Sequence, residues 1–302
     1  MPNNWCTIAP IKYKDPFRYL RTPVRFSRGL VFDLIPAWLR QPKFLDNLGF
    51  IHKDFINRAQ YAFFVTYKAK ELGIPDPNWT GRERRSIQDS KQELINLANL
   101  AIWLSKPCAF GIDVIFHIDE FQSDKNLRSL LQVRDLESHL KYHKTYLQPT
   151  DLLFARQLHA RMYAIPRKSA VWIALYSLWN GLREPDWATR YTLFWIGLES
   201  LFGPEDAKEI TFRLSQRIGF FLGKNGPSAL AIFQRTKELY RWRSKVVHGL
   251  RLANLTDDES IQVSLDTEMT LRDSLVKILK SPRLLRRFST SREKFLDSLA
   301  FS

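Results

Sequence analysis

Residues 228–249 read SALAIFQRTKELYRWRSKVVHG, and the assignment of this stretch decides the fold of the second half of the chain. It opens on Ser228 as a cap and closes on Gly249, so it reads as one helix that stops at a glycine. Its end, YRWRSKVVHGL (240–250), sets an arginine and a histidine five residues apart among aromatic and valine side chains. Helical geometry puts Ser244 and His248, four apart, on one face, and Arg243 about 140° around from His248. A helix C-terminus carries partial negative charge, which repels phosphate and favours a protonated imidazole. Phosphate is therefore held here only with compensating charge from Arg243 and from Arg241, Lys245 or Arg251. The segment reads either as a phosphate-handling site or as a helix end capped by histidine, and spacing does not choose between them.

Helical patterns extend from this stretch in both directions. PTDLLFARQLHARMYAI (149–165), RKSAVWIALYSLWNGL (167–182), PDWATRYTLFWIGLESLFG (185–203) and DAKEITFRLSQRIGFFLG (206–223) precede it, and DDESIQVSLDTEMTLRDSLVKILK (257–280) follows. Each has an opening cap or a closing glycine, and short turns join them, so residues 148–282 are expected to form an antiparallel helical bundle. Residues 283–302 read as a basic C-terminal tail. Before about residue 148 the segments are short and punctuated by proline. YAFFVTYKA alternates as a strand does, GIDVIFHI is rich in β-branched residues, and SIQDSKQELINLANLAIWL has helical spacing behind a Ser or Asp cap. Residues 1–147 therefore read as a mixed α/β domain, and the fold class is α+β overall. TGRERRS (80–86) reads as a basic loop.

Composition narrows the partners. The chain has 302 residues, 45% of them hydrophobic, and a formal net charge of +15. A core of that size supports a folded, two-domain protein, and the charge, spread over both halves, points to a polyanion. No uninterrupted apolar run of about 18 residues is present and the N-terminus lacks a signal-peptide pattern, so a cytoplasmic protein without a membrane partner is expected. Cys6 and Cys108 are too few and too far apart for a disulfide framework or a thiolate zinc cluster.

The run from Asp186 to Lys280 resembles the HEPN domains of the Apea-like group, most specifically in FWIGLESLFG (194–203) followed two helices later by LYRWRSKVVHGL (239–250). Such domains are helical bundles marked by an arginine, a polar residue and a histidine, matched here by Arg243, Ser244 and His248. The resemblance implies a metal-independent endoribonuclease of an antiviral, toxin or RNA-processing system, without cofactor, in which the motif helices of a homodimer form one cleft. It implies that His248 transfers a proton, that Arg243 stabilises charge on the phosphoryl oxygens, and that Ser244 orients the histidine or the phosphate. Arg241, Lys245 and Arg251 would contact RNA. An activating protein, including one of phage origin, would be sensed by the N-terminal domain. Other classes stay open: a catalytically idle RNA- or nucleotide-binding dimerisation module, or a regulatory protein-interaction partner.

The remaining motifs read more plainly. Glu199 in GLESLFG reaches the motif helix either to hold Arg243 or as an ordinary interhelical ion pair. His139 and His143 have zinc-compatible spacing without a third ligand, so a solvated helix face is the better reading. FLGKNGPS (221–228) lacks the spacing of a phosphate loop and reads as a turn. Trp172, Trp179 and Trp195 read as core, and Trp242 as core or as a surface on which a base could stack.

Overall fold

A computed structural model describes residues 4–12, 15–17, 20–68, 81–121, 124–138, 145–205, 209–247 and 255–299, with the backbone alone at 15, 81–88, 120, 121 and 124. The described residues contain six strands and eleven α-helices. In chain order these are β1 (Asn4–Pro10), β2 (Val24–Arg25), β3 (Val31–Leu34), α1 (Pro42–Leu45), α2 (Phe50–Arg58), β4 (Tyr61–Lys68), α3 (Gly81–Ser105), β5 (Val114–Phe121), β6 (Asp124–Gln132), α4 (Pro149–Tyr163), α5 (Ala170–Gly181), α6 (Trp187–Phe202), α7 (Ile210–Leu222), α8 (Gly226–Val247), α9 (Asp257–Lys280), α10 (Pro282–Thr290) and α11 (Arg292–Ser298). The architecture is α+β. The chain divides into two compact units, Met1–Leu136 with Tyr142–Tyr163, and Glu137–Lys141 with Ala164–Ser302.

The first unit is built on an antiparallel sheet in the order β2-β3-β4-β1-β5-β6. Strand β1 lies inside the sheet, paired with β4 and β5, and its alternation sends Ile8 to one face and Thr7 to the other. Ile8, Phe116 and Ile118 pack with Leu39, Phe44 and Ile56 from the α1–α2 side in one buried cluster. On the opposite face Thr7 and His117, register partners on β1 and β5, meet at 2.8 Å between Oγ1 and Nδ1, both buried. Helix α3 supplies buried Leu94, Ile95, Ala98, Ala101 and Ile102, and α4 packs on α3. His159 on α4 fixes that contact: its Nε2 donates to the Leu94 carbonyl at 3.0 Å, so Nδ1 is the acceptor for the Ser27 hydroxyl at 2.8 Å.

Two sequence expectations change in this unit. The stretch Gly81–Ser86, expected as a loop, is the first part of α3. Glu and Arg are good helix formers, and no proline or glycine follows Gly81 to interrupt them. Helix α4, expected to open the bundle, belongs with the sheet unit. Its buried stripe of Leu152, Ala155, Leu158 and Met162 is used within that unit, so the division falls after Tyr163 and not at residue 147.

The second unit is helical. Helices α5 and α6 form an antiparallel pair in close contact: a Cβ at Gly181 would meet the Phe194 ring at 2.4 Å, and one at Gly197 would meet Leu271 of α9 at 2.7 Å. Small residues at these crossings let Phe194, Trp195, Leu198 and Leu271 bury completely, each such side chain stabilising the fold by about 1.5–3 kcal/mol. A capping box between Thr256 and Glu259 starts α9.

The region expected as a basic tail is folded. Phe288 of α10 and Phe295 of α11 are buried with Phe202 and Phe221 in a set of edge-to-face and tilted contacts. Arg217, only 4% exposed, clasps this cover by hydrogen bonds to Glu293 Oε1 at 2.5 Å and Asp297 Oδ1 at 2.7 Å. Arg283 and Arg286 are exposed on the outer side of an amphipathic helix whose inner side carries Phe288, and Arg287 is half-buried with its guanidinium 5.0 Å from the centre of the Phe295 ring.

Candidate nucleic-acid site on α6 and α8

A single stripe of α6 faces α8. Asp186 caps the start of α6 by accepting from the Thr189 N–H at 2.7 Å, which holds its carboxyl below the usual carboxylate range. From there Tyr191, Trp195 and Glu199 recur every four residues and so fall on one side of the helix. The Tyr191 hydroxyl donates to the Leu239 carbonyl of α8. Trp195 stands edge-on to Tyr240, with centroids 5.0 Å apart. Glu199 meets Arg243: Nη2 donates to Oε2 at 3.2 Å, while Nε lies 3.0 Å from Oε1 but out of line for a hydrogen bond. The three contacts follow the same order along both helices.

This seam fixes the guanidinium with its Nε buried while the side chain as a whole stays partly exposed. The Arg243 and Glu199 side chains are 25% and 27% exposed, so the pair is partly screened and the cation keeps access to solvent. A guanidinium has five N–H donors, and only one makes an aligned bond to Glu199. The group also lies 5.6 Å from the centre of the Tyr240 ring. Burial, reinforced by the charge of Glu199 and opposed by Arg243, pushes the Tyr240 phenol up to about 12, so it stays protonated at neutral pH and can act as a donor.

The other expected site residues divide into two groups. Arg241, Ser244 and Lys245 are exposed on α8. The Lys245 ammonium sits 4.1 Å from the centre of the Trp242 ring, so a cation occupies one face of that ring. His248 and Arg251 lie outside the described residues, as do His139 and His143. Glu199 and Arg243 are brought together; the contacts of His248 are not described. Tyr191, Trp195 and Tyr240, which position the pair, were missed as site residues in the sequence. The four-residue spacing of Tyr191, Trp195 and Glu199 was the signal available for them.

Trp195 and the other two expected core tryptophans differ in exposure. Trp195 is fully buried, whereas Trp172 and Trp179 are half-buried, with Arg167 and Arg183 over their rings. Cys6 and Cys108 are free thiols. Among the described residues no helix is long and apolar enough to cross a membrane. The chain matches no family model, no curated protein and no solved structure.

Proposed function

We propose that this chain is a metal-independent endoribonuclease of the HEPN kind, with Arg243 and His248 as its working residues. One observation carries the reading: a partly exposed guanidinium is held by Glu199 across the α6–α8 seam, five residues ahead of a histidine. In this reading the 2′-hydroxyl of one nucleotide attacks the adjacent phosphorus while His248 accepts its proton. Arg243 carries the charge that develops on the non-bridging oxygens. The bond to the 5′-oxygen breaks, a proton passes to that oxygen, and the products are a 2′,3′-cyclic phosphate and a 5′-hydroxyl. Ser244 orients the histidine or the phosphate, and Arg241, Lys245 and Arg251 supply charge along the strand. A homodimer would bring two copies of His248 together, one as base and one as acid.

The test is cleavage of end-labelled RNA by the purified chain in excess chelator. Arg243→Ala is expected to lower the rate by about 10²-fold or more, as loss of one preorganised charge-stabilising group does. Glu199→Ala, which removes only the anchor, is expected to cost less than Arg243→Ala. Light scattering at the assay concentration is expected to find a dimer. Full activity from a monomer would defeat the shared-cleft arrangement, and absence of any cleavage, with RNA bound, would leave a binding module in place of an enzyme.

A further inference from the structure

The first unit carries a groove of about 500 Å³ where the segment Leu20–Arg25 runs beside the start of α4. Three arginines line it, Arg21, Arg25 and Arg156, and all three residues are exposed. Among the described residues none of the three has a carboxylate partner. Other arginines of the same unit are engaged: Arg128 with Asp119, Arg58 with Asp54, and Arg28 over the Tyr163 ring. The acidic residue in the first turn of α4, Asp151, accepts from the Gln148 N–H at 2.8 Å and pairs with Lys106 at 3.4 Å. The groove therefore gathers positive charge that no carboxylate among the described residues pairs with.

Its geometry is built in. The His159 bonds to Ser27 and Leu94 tie α4 to the turn just after the segment and to α3, and the Leu147 N–H donates to the Pro16 carbonyl at 2.8 Å just before each of the two lining segments. Between the cations the lining is apolar: Leu152 forms a buried floor, while Leu153 is 53% exposed and stands with Pro23 and Pro149 at the surface. A ligand suited to this lining has phosphate for the planar guanidinium forks and a flat, weakly polar part for the proline and leucine surface. The volume lies within the range of about 300–1,000 Å³ usual for small-ligand sites. An extended peptide is poorly served, because the edge strand here, β2, is two residues long and follows Pro23, which has no N–H to give.

We infer that this groove binds nucleotide, free or within an RNA strand, with Arg21, Arg25 and Arg156 on the phosphate and the base against Pro23, Pro149 and Leu153. The inference does not rest on cleavage by the second unit. Its test therefore uses a fluorescent 2′-O-methyl oligoribonucleotide, which has no 2′-hydroxyl to attack, and in parallel a fluorescent adenosine monophosphate, both read by anisotropy on the full chain. Replacing all three arginines by alanine is expected to weaken binding at least tenfold. On a strand, where the three arginines reach up to three phosphates, their loss should also lower the slope of log affinity against log salt by up to about 2. The variant Lys43→Ala/Lys53→Ala/Arg58→Ala, which removes the same charge from the α1–α2 side of the unit, should stay within about twofold of the parent. Arginine-dependent binding of the monophosphate assigns a free nucleotide, and arginine-dependent binding of the oligonucleotide alone assigns a strand. Should the triple alanine chain fail to fold in a thermal melt, Arg156→Glu, at an exposed helical position, carries the same comparison. The inference is overturned if neither probe binds the parent, if the arginine variant binds as the parent does, if the control variant loses as much, or if a glutamate-rich peptide of equal charge displaces the oligonucleotide equally well.

Discussion

Changing His248→Ala is expected to abolish RNA cleavage in chelator while leaving RNA binding and the fold largely intact. An imidazole titrates near neutral pH and exchanges protons without a metal, which is what attack by a 2′-hydroxyl requires. Loss of a general acid or base typically costs about 10²- to 10⁴-fold in rate. Arg243→Ala acts differently, because it removes charge that also attracts the phosphate, so binding should fall along with the rate. The two variants are thus separated by an affinity measurement at fixed salt. If His248 only caps the end of a helix, its alanine variant instead loses about 1 kcal/mol of stability and keeps full activity. That outcome would remove the reason for reading the chain as a HEPN nuclease.

Acid should weaken the first unit through its buried histidines, and His159 offers the sharpest measurement. Burial holds the His159 imidazole down at about 4, with the bond to Leu94 opposing, and burial holds His117 at about 4 as well. In the unfolded chain each titrates near the ordinary histidine value of about 6.5. Between those two values the unfolded state binds a proton that the folded state refuses, so stability falls as pH falls through that window. The cost is about 3 kcal/mol for each histidine over the whole window. Asp135 works the other way, since burial and the neighbouring Asp113 raise its carboxyl to about 6, so folding takes up a proton there. For that reason the wild type is best compared with His159→Gln in urea titrations at pH 6.5 and pH 4. The wild type is expected to lose about 3 kcal/mol more than the variant across that interval. Equal losses would mean that the imidazole is solvated or charged in the folded protein.

The helices were largely legible, because apolar residues at a period of 3.6 mark α4 through α9 whatever they pack against. The partner of each stripe was not. Leu152, Leu158 and Met162 read equally well as a bundle helix and as a helix laid on α3, since a stripe records that a face is covered and not by what. Strands β4 and β5 showed themselves through alternation and β-branching. Strand β1, NWCTIAP, mixes polar residues with a proline, and its place between β4 and β5 depends on residues more than fifty positions away. The end of the chain misled by its charge: Arg283, Arg286 and Arg287 dominate the reading, while the buried positions Phe288 and Phe295 are few. In the site, the spacing of Glu199 and Arg243 left two readings open, anchor or ordinary ion pair. The contacts of Tyr191 and Trp195 show why the two meet, through a seam that joins residues 44 to 48 positions apart in sequence.

The cover formed by α10 and α11 bears on how the protein would age in a cell. Helices α10 and α11 are held by the Arg217 clasp on Glu293 and Asp297 and by the rings of Phe288 and Phe295. Clipping after Lys280 would strip two phenylalanines from Phe202 and Phe221 and take both counter-charges from Arg217. The remnant would expose an adhesive aromatic surface, and its fate would be clumping or disposal. The last two described helices thus cover rings and a cation that the rest of the second unit leaves unsatisfied.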